Sequence, residues 1–164
     1  MTATYDCIAT TTLGSDQASV TFSSISGSYT DLVLVFAGAQ TGAGVTYFGI
    51  RFNSDTGSNY SYTAIAGNGT TATSNRGSNQ SYIYIALGSP ITSGQNNAMV
   101  HFQNYSNTTT YKTVLGRANN AAERTEAGVA LWRSTSAITS MEISIGANNF
   151  ATGSTFTLYG IKAE

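Results

Sequence analysis

Apolar and polar residues alternate with a period of two through most of the chain. Val20 and Phe22 oppose Ser19 and Thr21; Phe48, Ile50 and Phe52 oppose Tyr47, Gly49 and Arg51; Val100 and Phe102 oppose Met99 and His101. The same pattern sets Met141, Ile143 and Ile145 against Glu142 and Ser144, and Phe156 and Leu158 against Thr157 and Tyr159. Residues two apart on an extended strand share a face, so each segment predicts a strand with one face in a core and the other in water or against a partner. Strands are expected over residues 5–12, 19–22, 31–39, 46–52, 60–66, 81–87, 98–103, 111–118, 128–133, 140–145 and 155–162. Residues 31–39 are apolar on both faces and predict a central strand buried on both sides. No segment holds a helical period over three turns. The best helix candidate, 119–126, is short and reads as a loop.

Short β-branched and aromatic runs bounded by Gly, Asn and Ser predict an all-β domain. Without a linker or shift in composition, residues 1–164 form a single domain. About eight to ten antiparallel strands fit a two-sheet, jelly-roll-like β-sandwich, with an up-and-down barrel as the alternative. Two polar stretches interrupt the pattern, NSDTGSN at 53–59 and GNGTTATSNRGSN at 67–79. Both are expected to be exposed loops suited to contact.

Composition changes what such a domain is expected to do. Only 9% of the chain is charged, against about 25% in ordinary soluble domains. The net charge is -1, which gives little repulsion between copies. Self-association through apolar and tyrosine surface and through strand edges is therefore expected. Seven basic residues against eight acidic ones form no basic patch, so nucleic-acid binding is not expected. No secretory signal and no apolar run of membrane-helix length is evident. Five N-x-S/T triplets, at Asn59, Asn68, Asn79, Asn104 and Asn107, are taken as compositional and not as glycosylation sites.

Candidate chemistry is sparse. His101, the single histidine, alternates with strand residues and is read as an exposed or interface residue. Cys7, the single cysteine, is read as a small buried hydrophobe. No Cys/His cluster is present for zinc, and no catalytic residue, cofactor or metal is expected. The carboxylates Asp6, Asp16, Asp31, Asp55, Glu123, Glu126, Glu142 and Glu164 are assigned to turns and strand ends, with Glu123 and Glu126 in a solvated, ion-paired loop. Asn53, Asp55 and Asn59 have oxygens suited to calcium, but with one carboxylate among them a simple turn is the preferred reading. Trp132 is expected to be a core or rim anchor. The tyrosines stand out: Tyr47, Tyr60, Tyr62, Tyr82, Tyr84 and Tyr105, with Tyr111 nearby, crowd the middle of the chain. Tyrosine is enriched at interfaces and stacks on sugar rings, so those six are the candidate interface or ligand surface, a subunit interface being preferred to a glycan.

Several segments resemble small virion structural proteins of tailed bacteriophages common among marine and freshwater hosts. They are YDCIATTTLGS at 5–15, SYTDLVLVF at 28–36, RFNSDTGSNYSYTAI at 51–65, NYSNTTTYKTVLGRANN at 104–120, ALWRSTSAITSMEI at 130–143 and FTLYGIKAE at 156–164. The closing L-Y-G-I-K strand is the most specific and also ends larger phage fibre proteins. The resemblance implies a β-sandwich on the virion surface, assembled in the host cytoplasm, with no catalytic motif to carry over. It implies partners among other virion proteins, either the major capsid protein or tail and baseplate components. A capsid decoration or cement protein, often a trimer, is one role. A tail fibre or baseplate appendage touching host glycan is the other. The lack of a shaft or coiled coil before residue 5 favours decoration.

Overall fold

The computed structural model describes residues 4–43, 46–85, 92–120 and 124–162. Among them twelve strands form two sheets: β1 (Tyr5–Thr12), β2 (Ser19–Phe22), β3 (Asp31–Gly38), β4 (Phe48–Phe52), β5 (Tyr60–Gly67), β6 (Ala72–Gln80), β7 (Ile83–Ile85), β8 (Asn96–Phe102), β9 (Lys112–Asn119), β10 (Thr125–Trp132), β11 (Met141–Ile145) and β12 (Thr155–Ile161). The large sheet runs β1-β12-β3-β8-β9-β10-β5-β6 and the small one β2-β11-β4-β7. Every pairing is antiparallel.

The strand order contains a simple plan. With β5, β6, β9 and β10 set aside, the sheets read β1-β12-β3-β8 and β2-β11-β4-β7. The pairs β1·β12, β2·β11, β3·β8 and β4·β7 are nested, like one long hairpin whose two arms pass back and forth between the sheets. That is the jelly-roll arrangement, and two open sheets exclude the up-and-down barrel. Two hairpins are inserted into it. β5–β6 lies between β4 and β7, β9–β10 between β8 and β11, and both extend the large sheet beyond β8. The strand count therefore exceeds the expected eight to ten.

Three sequence expectations are corrected here. Residues 67–79 are not a long loop. Asn68 Oδ1 accepts the backbone N–H groups of Thr70 and Thr71 and the Thr70 hydroxyl, which makes a tight turn, and β6 follows at once. Residues 119–126 hold no helix where they are described. Asn119 ends β9, Thr125 and Glu126 begin β10, and Thr125 pairs with Asn119. Glu126 is accordingly buried on a strand and not in a solvated loop; Glu123 and Glu164 lie outside the described residues. β3 is covered on both sides only in its first half: Leu32, Leu34 and Phe36 face the small sheet and Val33 is buried on the outer face, while Val35 is half-buried and Ala37 exposed there.

Aromatic rings join the sheets. Phe48 of β4 meets Phe36 of β3 at 5.2 Å and Phe150 at 6.1 Å, and Phe36 meets Phe156 of β12 at 5.0 Å. At the other end of β4, Phe52 contacts Phe102, Tyr60 and Trp132 at 5.6, 6.2 and 5.3 Å. Tilted and edge-to-face pairs of this kind add to the burial of the rings themselves. Beyond β4, Ile85 of β7 packs onto Gly116 of β9, where a Cβ would stand 2.7 Å from the Ile85 Cδ1. Lys112 is a buried exception on β9. Its Nζ donates to the carbonyls of Thr110 and Thr135 at 2.8 and 3.2 Å, and burial holds its pKa below that of an ordinary lysine.

Phe36 sits at the centre of the first ring group with 1% exposure. Phe36→Ala should lower the unfolding free energy by about 3–5 kcal/mol. In urea titration the midpoint should fall with the slope unchanged.

Candidate functional site: a tyrosine groove beside an open sheet face

β4 and β7 bring Tyr47, Tyr82 and Tyr84 to the free edge of the small sheet, and β5 brings Tyr62 up beneath them. Their rings form a continuous chain. Tyr84 meets Tyr47 at 6.0 Å, Tyr62 at 5.7 Å and Tyr82 at 6.1 Å. Arg51 lies over the Tyr82 ring, 3.9 Å from its centre, and pairs with Glu142 at 3.3 Å. Tyr62 can enter this group because Gly77 stands opposite it on β6. A Cβ at position 77 would lie 2.6 Å from the Tyr62 ring.

Tyr47, Tyr62 and Tyr84, with Asn75, Arg76 and Gln80 of the edge strand β6, line a groove of about 460 Å³. The pKa of Tyr62 is raised, chiefly by burial and further by Tyr84, Tyr47 and Glu126, so these polar groups converge on one another. Four of the six tyrosines singled out from sequence are thus brought together. The other two are not on a surface. Tyr60 and Tyr105 are fully buried, which removes them from the interface or ligand set. Tyr60 stacks on Trp132 and accepts from the Phe52 N–H at 3.1 Å; burial, foremost, pushes its pKa to about 12. The Tyr105 hydroxyl donates to the Ser26 carbonyl. Tyr111 is exposed elsewhere, at the start of β9. Asn75 falls in the stretch 67–79 expected to be an exposed contact loop and lies instead on strand β6; Gln80 just beyond that stretch gave no signal, and neither did Gly77, on which a ring packs.

The loop at 53–59 spends its polar groups on its own structure. Asp55 accepts from Trp132 Nε1 at 2.7 Å, Asn59 Nδ2 at 2.9 Å and the Gly57 N–H at 2.9 Å. Asn53, at φ 50°, donates to the Ala137 carbonyl and accepts from the N–H groups of Thr139 and Ser140. A carboxylate already enclosed by three N–H donors is a poor calcium ligand, so the turn reading stands. Other triplet asparagines act similarly: Asn107 Oδ1 accepts from Thr109 and Thr110, and Asn79 accepts from Arg133.

The large sheet's outer face is the second feature. Register places Thr63, Val129, Leu115, His101, Val33 and Tyr159 in one row across it, and Ile65, Ala127, Arg117, Met99, Val35 and Thr157 in the next. Ile65, Leu115, Val129 and Met99 are exposed by 65, 54, 50 and 37%. Asp31, Arg76 and Arg117 are the charged residues of this face, and Asp31 is engaged. It accepts from the Asn104 N–H at 2.7 Å and pairs with His101 Nε2 at 2.8 Å. The pair ties β3 to β8. Cys7 also belongs to this face. It is exposed, contrary to the buried reading, because β1 is an edge strand and Cys7 pairs with Tyr159 of the outer face.

No protein-family model matches the chain, and no curated protein matches it. Among solved structures it is similar to an alginate lyase determined in complex with alginate tetrasaccharide, at 10% identity and a TM-score of 0.33, over 94% of this chain and 80% of that one. A likeness of that size carries no argument about activity.

Burial of Asp55 raises its pKa, and the hydrogen bonds from Trp132, Asn59 and Gly57 together with the Arg51 charge lower it further, leaving it below 3.8. The unfolded chain then takes up the proton at higher pH than the folded one. Stability should be fully present above about pH 4 and fall as pH drops through the lowered value. Asp55→Asn should flatten that part of the curve in chemical denaturation measured from pH 6 to 2.

Proposed function

We propose that the protein is a non-enzymatic structural component of a bacteriophage virion surface, a decoration or cement protein that associates with copies of itself and with the shell. The observation that carries this reading is the outer face of the eight-stranded sheet, with Ile65, Met99, Leu115 and Val129 exposed on four adjacent strands. Seven spacings of about 4.8 Å and strands of about 25 Å give it an area on the order of 800 Å². That is the size one partner contributes to a stable protein interface. Apolar residues spread over such an area in a chain with so little charge mark a surface for contact. The jelly-roll fold supports the same reading, as does the phage resemblance of the closing strand. A cement function needs contact area at subunit junctions and no bond-making chemistry.

Sedimentation equilibrium should show a defined oligomer. Substituting Leu115→Lys and Val129→Lys together should raise its dissociation constant at least tenfold, since each places an uncompensated charge in a buried apolar surface. Shells lacking the protein should take up the wild type in regular copies and not the double variant. A wild type that stays monomeric at high concentration and leaves such shells bare overturns the proposal.

A further inference from the structure

We propose that the groove formed by Tyr47, Tyr62, Tyr84, Asn75 and Gln80 is a binding site for a neutral pyranose ring of a saccharide. Its volume, about 460 Å³, lies within the ordinary range for small-ligand sites of roughly 300–1,000 Å³. The argument rests on which polar groups lack a partner inside the protein. The hydroxyls of Tyr47, Tyr62 and Tyr84 make no hydrogen bond among the described residues, nor does the half-buried amide of Asn75. Gln80 uses its Nε2 on the Ser78 carbonyl at 2.8 Å, leaving its Oε1 for another donor. Aromatic rings therefore stand beside groups that both donate and accept.

A pyranose has that complementary form, with an apolar C–H face bounded by hydroxyls. The face packs on a tyrosine ring, and the hydroxyls satisfy the phenols and amides. A purely apolar ligand would instead bury those groups unpaired, at a cost of about 1–3 kcal/mol for each. Charge sets the class of sugar. Arg76 borders the groove, but the register pairs it with Thr63 on the sheet's opposite face, while the carboxylate of Glu126 acts on Tyr62 from the groove side. With Arg76 at its border and the carboxylate of Glu126 near Tyr62, neither sign of charge dominates the groove, which fits an uncharged sugar better than a uronate or sulfated one. Gly77 serves the site by leaving room for the Tyr62 ring.

This inference does not depend on self-association through the outer face, and the Leu115→Lys, Val129→Lys protein should retain it. Ligand-observed saturation-transfer NMR with the methyl glycosides of glucose, galactose and mannose should show transfer to ring C–H protons of at least one. An array of immobilised neutral and acidic polysaccharides should give hits among the neutral ones. Tyr84→Ala and Asn75→Ala should each weaken binding at least fivefold, Gly77→Ala should do so by displacing Tyr62, and Tyr111→Ala should leave it unchanged. Asn75 sits on an exposed edge strand, so its variant keeps the test open if Tyr84→Ala fails to fold. Absence of any transfer and any array hit, binding confined to acidic polysaccharides, or full binding by the folded Tyr84 and Asn75 variants overturns the proposal.

Discussion

Four strands lie against eight, and this inequality governs where the protein has surface to use. The small sheet covers the jelly-roll strands of the large one through the rings on Phe48 and Phe52, and its edge strand β7 is just long enough to reach β9, β10 and β5. Past that edge no further strand among the described residues covers the inner side of β5 and β6. Tyrosines occupy the place instead. A tyrosine suits the boundary because its ring can lie on apolar surface while its hydroxyl meets water. On the outer side no element among the described residues lies over the large sheet, yet its strands carry aliphatic residues there. One packing constraint thus produces both the groove and the open face.

Much of the architecture was legible because burial is one-sided. Where one face is in the core, period-two alternation marks it, and β2, β4, β8, β11 and β12 lie within two residues of their expected bounds. β6 failed that test for a physical reason. Its sequence, ATSNRGSNQ, is polar on both faces, since one faces water and the other faces a groove, so it lacks the apolar half of the pattern. β3 failed in the opposite direction. Val33 is buried as its pattern suggests, but Val35 and Ala37 beyond it are not, and alternation cannot distinguish a covered face from an apolar face left open. For the site, tyrosine density identified Tyr47, Tyr62, Tyr82 and Tyr84, but density alone could not separate them from Tyr60 and Tyr105. That separation depends on which strand reaches the core, and Tyr60 is carried inward by the same β5 alternation that sets Tyr62 at the rim.

The scarcity of charge acquires a structural meaning once the few ionisable groups are located. Asp55 holds its loop to Trp132, Asp31 holds β3 to His101 and to the turn after β8, Arg51 bridges to Glu142, and Lys112 ties two loop carbonyls together. Asparagine and threonine form the turns. These polar side chains are therefore committed to the fold. Because the loop at 53–59 is among those committed, it is a poorer candidate for recognition than its polarity suggests, and the phenols and amide of the groove, which make no hydrogen bond among the described residues, are better ones.

The open face also bears on how copies could meet. Edge pairing is the usual hazard for a sheet with free ends. Here the edges of the large sheet are β1 and β6. A bulge interrupts β1 between Cys7 and Ala9, and a register shift between Tyr60 and Tyr62 distorts the β5–β6 ladder. Bulges twist an edge away from a straight partner, and β6 offers a neighbour mainly polar side chains. Continuing the sheet from one molecule to the next is therefore the less favourable route. Packing one broad face against another subunit or a shell buries Ile65, Met99, Leu115 and Val129 without requiring a new ladder, and it leaves the groove, on the other side of the large sheet, clear of the contact.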